Sequence, residues 1–247
     1  MKPLKSTVPN WIIRPSDLPR GLRYYDLIAG LFVAVLLISN IAATKLVGFR
    51  EFPFDGGTFL FPLSYIFGDI LTEVYGFARA RRVIWLGFAA NILAALTFAV
   101  VSALPPASIW PNQEAFVTIL GFVPRIVFAS LVAYLCGEFT NSVILAKLKI
   151  RMQGKKLWTR TIGSTLVGEA IDTVLFVMIA FVGIVPAREL WLMIVFNYVF
   201  KCAVEIVLTP VTYAVVGFLK RREQVDVYDT DTRFTPFAFA DADAVTK

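Results

Sequence analysis

The chain contains no histidine, so a histidine proton relay and any zinc site that needs imidazole are excluded. It has only two cysteines, Cys136 and Cys202, both inside apolar runs on different expected helices and without a CxxC spacing. They read as small core residues rather than a disulfide or a metal pair. A phosphate-binding GxxxxGK[ST] loop is also missing. Gly154-Lys155 lies in a basic stretch with neither the upstream glycine nor a following Ser or Thr, so the chain does not hydrolyse ATP by itself. Charge is scarce as well: 17% of the 247 residues are charged, against 57% hydrophobic and 14% aromatic, with mean hydropathy +0.70. That balance is far from a soluble domain and identifies a polytopic membrane protein.

The formal net charge of +6 and a pI near 9.4 raise the question of nucleic acid. The basic residues nevertheless cluster in short segments between apolar runs, which is the topogenic pattern of a membrane protein, so no nucleic-acid partner is expected. Apolar runs predict an all-α bundle of six spans near 25–47, 58–76, 83–104, 124–147, 161–184 and 190–218. This sets a transmembrane domain over 23–220, a cytoplasmic arm over 1–22 and a cytoplasmic tail over 221–247.

Lys2, Lys5, Arg14, Arg20 and Arg23 precede span 1; Arg79, Arg81 and Arg82 fall between spans 2 and 3. Six more cations from Lys147 to Arg160 join spans 4 and 5, and Lys220, Arg221 and Arg222 follow span 6. The remaining connections hold only Arg50 and Arg188, so the positive-inside rule puts both termini in the cytoplasm. The apolar run begins only near Leu27 and is too long for the core of a cleaved signal. Pro62, Gly68, Asp69 and Glu73 interrupt span 2, which is expected to be kinked or broken near Pro62 or Gly68. Within 105–123, residues 114–122 are expected to form a short interfacial helix or gate.

The informative residues are ionisable ones at membrane depth, where each costs roughly 3 kcal/mol or more and so normally faces a bundle interior. Helical spacing puts Tyr65, Asp69, Thr72 and Glu73 on one face of span 2. It likewise aligns Thr165, Glu169, Asp172 and Phe176 on span 5, and Tyr134, Glu138, Asn141 and Ser142 on span 4. Asn197, Lys201 and Glu205 follow at i+4 steps on span 6. Asn40, Thr44 and Lys45 on span 1, Asn91 on span 3 and Arg125 at the start of span 4 complete the polar set.

A central polar cavity accounts for these faces. Interhelical glue is the competing explanation, strongest for Asn91 and for a Lys201–Glu205 pair within one helix. It is weakest for Asp69 with Glu73 and Glu169 with Asp172, because neighbouring acids repel. Gly68-Asp69 aligns with Gly168-Glu169, and Asn40 before Lys45 loosely with Asn141 before Lys147, the trace of a 3+3 inverted repeat.

Ser39-Asn40-Ile41-Ala42-Ala43-Thr44-Lys45, then Phe61-Pro62-Leu63-Ser64-Tyr65 leading into Gly68-Asp69-Ile70-Leu71-Thr72-Glu73-Val74-Tyr75-Gly76, resembles the queuosine precursor transporter family, also labelled vitamin uptake transporters. The resemblance covers roughly 25–218 and continues through Ala80-Arg81-Arg82, Pro124-Arg125-Ile126 and Ile171-Asp172-Thr173. It implies a six-helix protein of the bacterial inner membrane that imports 7-cyano-7-deazaguanine or 7-aminomethyl-7-deazaguanine and needs no cofactor. Glu169 and Glu138 depart from the family pattern, which has glutamine at both. The extra acids suit either a cationic ligand or proton sites.

The residues expected to bind substrate are Asn40, Lys45, Tyr65, Asp69, Glu73, Arg125, Glu138, Glu169 and Asp172. No metal-ligand set or catalytic group is expected among them. Asp172 or Glu169 would read the donor face of the base, and Asn40, Lys45 or Arg125 its carbonyl. Tyr65, Tyr75 and Phe176 would stack on the ring, with Gly56, Gly57 and Gly68 as hinges. Two other readings remain open at this point: a substrate-binding subunit of an energy-coupling vitamin importer, and an intramembrane aspartyl protease using Asp69 and Asp172. A homodimer is one option for a bundle this small.

Overall fold

In the computed structural model, residues 22–49, 52–230 and 232–237 are described, so the expected N-terminal arm to Gly21, Arg50 and the end of the tail with Phe239 lie outside the described residues. Helix α1 (Tyr25–Ala42) leads into a hairpin of β1 (Leu46–Phe49) and β2 (Phe52–Asp55), then a 3-10 turn (Gly56–Phe59). Helices α2 (Phe61–Tyr75), α3 (Phe77–Ala103), α4 (Gln113–Leu120), α5 (Val123–Arg151), α6 (Leu157–Phe181) and α7 (Ala187–Glu223) follow.

Among the described residues, five helical segments are long and apolar enough to cross a membrane: α1, α3, α5 with α4 leading into it, α6 and α7. The fold is all-α and polytopic, with the hairpin as its one sheet among the described residues. Large apolar side chains such as Leu93, Phe128, Val199 and Val207 are exposed on the outside, while Asp69, Glu138, Glu169, Asp172 and Lys201 are buried. This polar-in, apolar-out arrangement is what a lipid solvent selects.

The hairpin corrects the expectation for span 1. Helix α1 stops at Ala42, and Leu46–Phe49 pairs antiparallel with Phe52–Asp55, Leu46 opposite Asp55. Span 2 is also corrected. Pro62 sits in the first turn of α2, where its missing N–H costs nothing, and the helix runs unbroken through Gly68. The interruption is the hairpin and turn in front of it. At about 22 Å for its 15 residues, α2 is shorter than a ~30 Å hydrocarbon layer, and all of it except Leu63 and Phe67 is buried. It is an interior helix that the 3-10 turn and hairpin lengthen at one end.

Close approach accounts for the absence of a side chain at Gly68. A Cβ there would lie 2.1 Å from Glu138 Oε1. Gly137 and Gly168 let α5 and α6 cross with backbones in contact, since a Cβ at Gly137 would be 2.8 Å from the Gly168 carbonyl. Of the cysteines, Cys202 is buried but Cys136 is exposed, which corrects its reading as a core residue; both are free.

The helices alternate in direction. At one end, the start of α1 meets the end of α2 and the start of α3: Tyr25 packs edge-on against Tyr75, and its hydroxyl donates to the Arg79 carbonyl at 3.1 Å. At the other end, Ser39 donates to the Gly57 carbonyl, and Arg125 at the start of α5 donates to the carbonyls of Ile179 and Val182 at the end of α6.

The first end carries the arginines and lysines of the short connections, and the segment after α7 folds across it. Val227 N–H donates to the Val74 carbonyl, Arg81 donates to the carbonyls of Arg233 and Thr235, and Trp85 donates to that of Pro236. Gly76, at φ 85°, gives α3 no side-chain cap of its own. The Asp229 carboxylate supplies one instead, accepting from Phe77 N–H at 3.0 and 3.2 Å.

Candidate functional site

The bundle interior is organised around one ammonium. Lys201, on α7, donates to Asp172 Oδ2 at 2.8 Å, lies 3.2 Å from Glu169 Oε2, and stands 4.3 Å from the centre of the Phe61 ring. Helical geometry makes this triad: Glu169 and Asp172 are three apart and share a face of α6, which packs against α7. The Lys201–Glu205 pair within α7 does not form, since Lys201 turns to α6 instead. A buried ammonium without an anion would be costly at this depth, and two carboxylates with an aromatic face offset that cost.

Beside the triad lies a cavity of about 10 Å³, room for about one water, lined by Ser39, Asn40, Ala43, Asp55, Thr58, Phe61, Asp172, Phe176 and Lys201. Asp55 closes β2 and accepts from Thr58 N–H, Thr58 Oγ1 and Asn197 Nδ2 at 3.1, 2.9 and 3.1 Å. The hairpin thus delivers a carboxylate to the site. Asn40 Nδ2 donates to Asn91 Oδ1 at 2.6 Å, and Asn91 Nδ2 donates on to the Gly87 carbonyl, so Asn91 fastens α1 to α3. Asp172 Oδ1 has no hydrogen-bond partner among the described residues, which leaves a buried acceptor beside the cavity.

Of the nine residues expected to bind substrate, Asn40 and Asp172 line this cavity and Glu169 joins through Lys201. Lys45 does not: it follows the end of α1 and is exposed. Arg125 is half-buried and tied to the end of α6, where it acts as a clamp between helices.

Glu73 is the clearest departure. Its carboxylate lies at the basic end, 2.5 Å from Arg160 Nη1, 2.6 Å from Lys220 Nζ and 3.6 Å from Lys149 Nζ. Asp226 completes this ion network at 2.7 Å from Lys149 and 2.8 Å from Lys220. The expected repelling pair of Asp69 and Glu73 is therefore not a unit, because Glu73 is neutralised by cations from three other segments.

Tyr65, Asp69 and Glu138 form a separate group between the cavity and the ion network. Asp69 Oδ1 accepts from Asn141 Nδ2 at 2.8 Å, and Glu138 Oε1 accepts from Ser142 Oγ at 3.2 Å. Neither carboxylate has a cation within ion-pair distance among the described residues.

Lys201, Asp55, Thr58, Asn197 and Phe61 were not among the expected binders. The i+4 row of Asn197, Lys201 and Glu205 was visible in the sequence, but what it faced was not. Asp55 and Thr58 carried no helical pattern at all. Among the described residues, no group of three or more Asp, Glu or Cys side chains is arranged to hold a metal ion.

Residues 55–215 match the family model described as "Putative vitamin uptake transporter". A Bacillus subtilis (strain 168) protein named "Probable queuosine precursor transporter" is 33% identical over 202 residues, covering 79% of this chain and 87% of that protein. The Escherichia coli (strain K12) "Queuosine precursor transporter" is 31% identical over 185 residues, covering 74% and 81%. A Haemophilus influenzae relative with the same name as the first is 28% identical over 190 residues, covering 75% and 78%. No solved structure matches significantly. The aspartyl protease reading falls here: Asp172 is held by an ammonium and Asp69 by an amide, and the relatives are named transporters. With the matched segment reaching from the Asp55 carboxylate past the Lys201 triad, the chain is a membrane transporter and belongs to the queuosine precursor transporter family.

Proposed function

We propose that the chain imports 7-deazapurine precursors of queuosine, 7-cyano-7-deazaguanine or its 7-aminomethyl analogue, across the bacterial inner membrane, binding them at the Lys201 cavity. The observation that carries this reading is the buried Lys201 held by Asp172 and Glu169 beside a cavity walled by Phe61 and Phe176. A guanine-like edge presents adjacent N–H donors and a carbonyl oxygen. The orphan Asp172 Oδ1 accepts from the donors and Lys201 donates to the carbonyl, each charge-assisted bond worth about 1.5–3 kcal/mol. Phe61 and Phe176 flank the flat ring. The names of the relatives support the same substrate class.

A cavity of about 10 Å³ cannot hold a purine-sized ligand, so loading requires the helices around it to part. The basic end, closed by the Glu73 network and the segment after α7, faces the cytoplasm by the positive-inside rule, with the Asp55 hairpin towards the outside. Alternating access then opens the hairpin side and the Glu73 side in turn about the Lys201 site.

The test is queuosine in tRNA from a host that can neither make nor import the precursor, supplied with external 7-cyano-7-deazaguanine or 7-aminomethyl-7-deazaguanine. The native chain restores queuosine, and Asp172→Ala, at equal expression, does not. Failure of the native chain with both compounds refutes the substrate assignment.

A further inference from the structure

Three membrane-buried acids take no part in the cavity or in the ion network: Asp69 on α2, Glu138 on α5 and Glu205 on α7, at 0%, 0% and 2% exposure. The available cations are already committed. Lys201 serves Asp172 and Glu169, while Arg160, Lys149 and Lys220 serve Glu73 and Asp226. Asp69 Oδ2 and both carboxylate oxygens of Glu205 have no hydrogen-bond partner among the described residues.

Asp69 stands between the other two: it feels the charge of Glu205, and a Cβ at the preceding Gly68 would lie 2.1 Å from Glu138 Oε1. Asp69 feels Glu205 most strongly, ahead of Glu73 and the more remote Arg160, and Glu138 feels Asp69 first and then Glu169. Two further buried groups point to what is missing. The hydroxyl of Tyr65 is also unpartnered among the described residues, although its ring is fully buried and faces Asp172, Glu169 and Glu138, and the buried Tyr134 hydroxyl lies beside Ser64 and Glu138. Tyr65 Oη would stand 2.6 Å from a Cβ at Gly137, the residue before Glu138. The Asn141 amide that donates to Asp69 leaves its own oxygen orphaned as well.

Three buried carboxylates with no cation within ion-pair distance among the described residues form an arrangement that protons complete. A carboxylic acid O–H gives a neighbouring oxygen a donor and removes a charge that a bilayer interior disfavours. We infer that the Asp69–Glu138–Glu205 cluster is a proton-binding site, separate from the Lys201 cavity, through which transport is coupled to the proton gradient.

In the balanced step, a carboxylate of the cluster takes a proton from water on the hairpin side, forming a neutral O–H that permits the closed state. When the Glu73 end opens, that O–H bond breaks, the proton leaves to cytoplasmic water and the carboxylate is regenerated. The cluster suits this because α2, α5 and α7 each contribute one acid, so rearranging these helices changes how far the three are desolvated together. The coupling, though not the proton binding, rests on the transport reading above.

Two measurements decide the proposal. Infrared pH titration of the purified protein in lipid is expected to show protonated carboxyl groups at neutral pH that diminish in Asp69→Asn, Glu138→Gln and Glu205→Gln. A neutral-pH spectrum without them, or one these variants leave unchanged, overturns the site. In proteoliposomes given the two deazapurines, each pH unit of gradient removed is expected to lower steady-state accumulation up to tenfold for one proton per substrate. Glu138→Gln and Glu205→Gln are expected to keep counterflow exchange while losing accumulation. Accumulation indifferent to the gradient overturns the coupling. If neither compound is taken up, the substrate reading fails, and the infrared titration alone decides the proton site.

Discussion

Replacing Glu73 by glutamine removes one charge from the basic end and leaves the cations that surround it. Lys149 retains Asp226 at 2.7 Å and the carbonyls of Glu73 and Val227 at 2.6 Å each, and Lys220 retains Asp226 at 2.8 Å. Arg160, at 1% exposure, keeps only the carbonyls of Lys155 and Gly154, both at 3.1 Å. The loss therefore falls mainly on one guanidinium.

Breaking a buried ion pair by removing one partner costs about 3–5 kcal/mol. The glutamine oxygen still accepts one bond, worth about 1 kcal/mol, which places the net change near 3 kcal/mol. For a chain of this size that is on the order of 10 °C in Tm. Thermal unfolding in lipid nanodiscs, followed by tryptophan fluorescence, measures it. Adding Arg160→Gln to Glu73→Gln removes the stranded charge and is expected to recover at least half of the loss. A single-variant shift within about 2 °C, or a double variant no more stable than the single, would refute the assignment of Glu73 as the hub of this end.

Lys201→Met strands Asp172 and Glu169 without a counter-ion and takes away the proposed donor to the ligand carbonyl. Precursor-dependent queuosine is expected to vanish in the host assay, while Lys220→Met at the half-exposed edge of the other network retains most of it. Gly137→Ala puts a Cβ 2.7 Å from Asp172 Cβ and 2.8 Å from the Gly168 carbonyl, neither of which has room to yield. The expected loss is about 1–3 kcal/mol, read as a lower Tm, whereas Gly163→Ala, inside α6 with open space around its Cβ, is expected to raise Tm slightly by its better helix propensity. Asp229→Ala removes the cap on α3, about 1 kcal/mol, and is expected to speed limited proteolysis after Gln224; unchanged cleavage would mean the cap does not hold the segment down.

Much of the bundle was legible because lipid enforces a simple rule on sequence. Faces such as Asn197, Lys201 and Glu205 could be read from a 3.6-residue period, since a bilayer leaves polar groups nowhere to go but inward. Leu46–Phe49 escaped because an apolar strand continues the hydropathy of the helix before it. Its signals were local: Gly48, Pro53 and the Asp55-Gly56-Gly57 turn. The roles of the acids were less accessible still. Glu73 and Asp69 look alike in sequence, four apart on one helix, and differ only in that Arg160, Lys149 and Lys220 arrive from distant positions at the first and not at the second. The turn signal at Asp55 did not mark it as part of the site, because that role comes from the way the turn swings it under α7.

The cap on α3 also dictates an order of assembly. Phe77 leaves the ribosome 152 residues ahead of the Asp229 that satisfies its N–H, so most of the protein is inserted before that helix start acquires its partner. Until then the Arg81 guanidinium also lacks the carbonyls of Arg233 and Thr235. That end of the bundle is thus closed last, and a chain cut before Asp229 would keep the start of α3 and the Arg81 guanidinium without these partners.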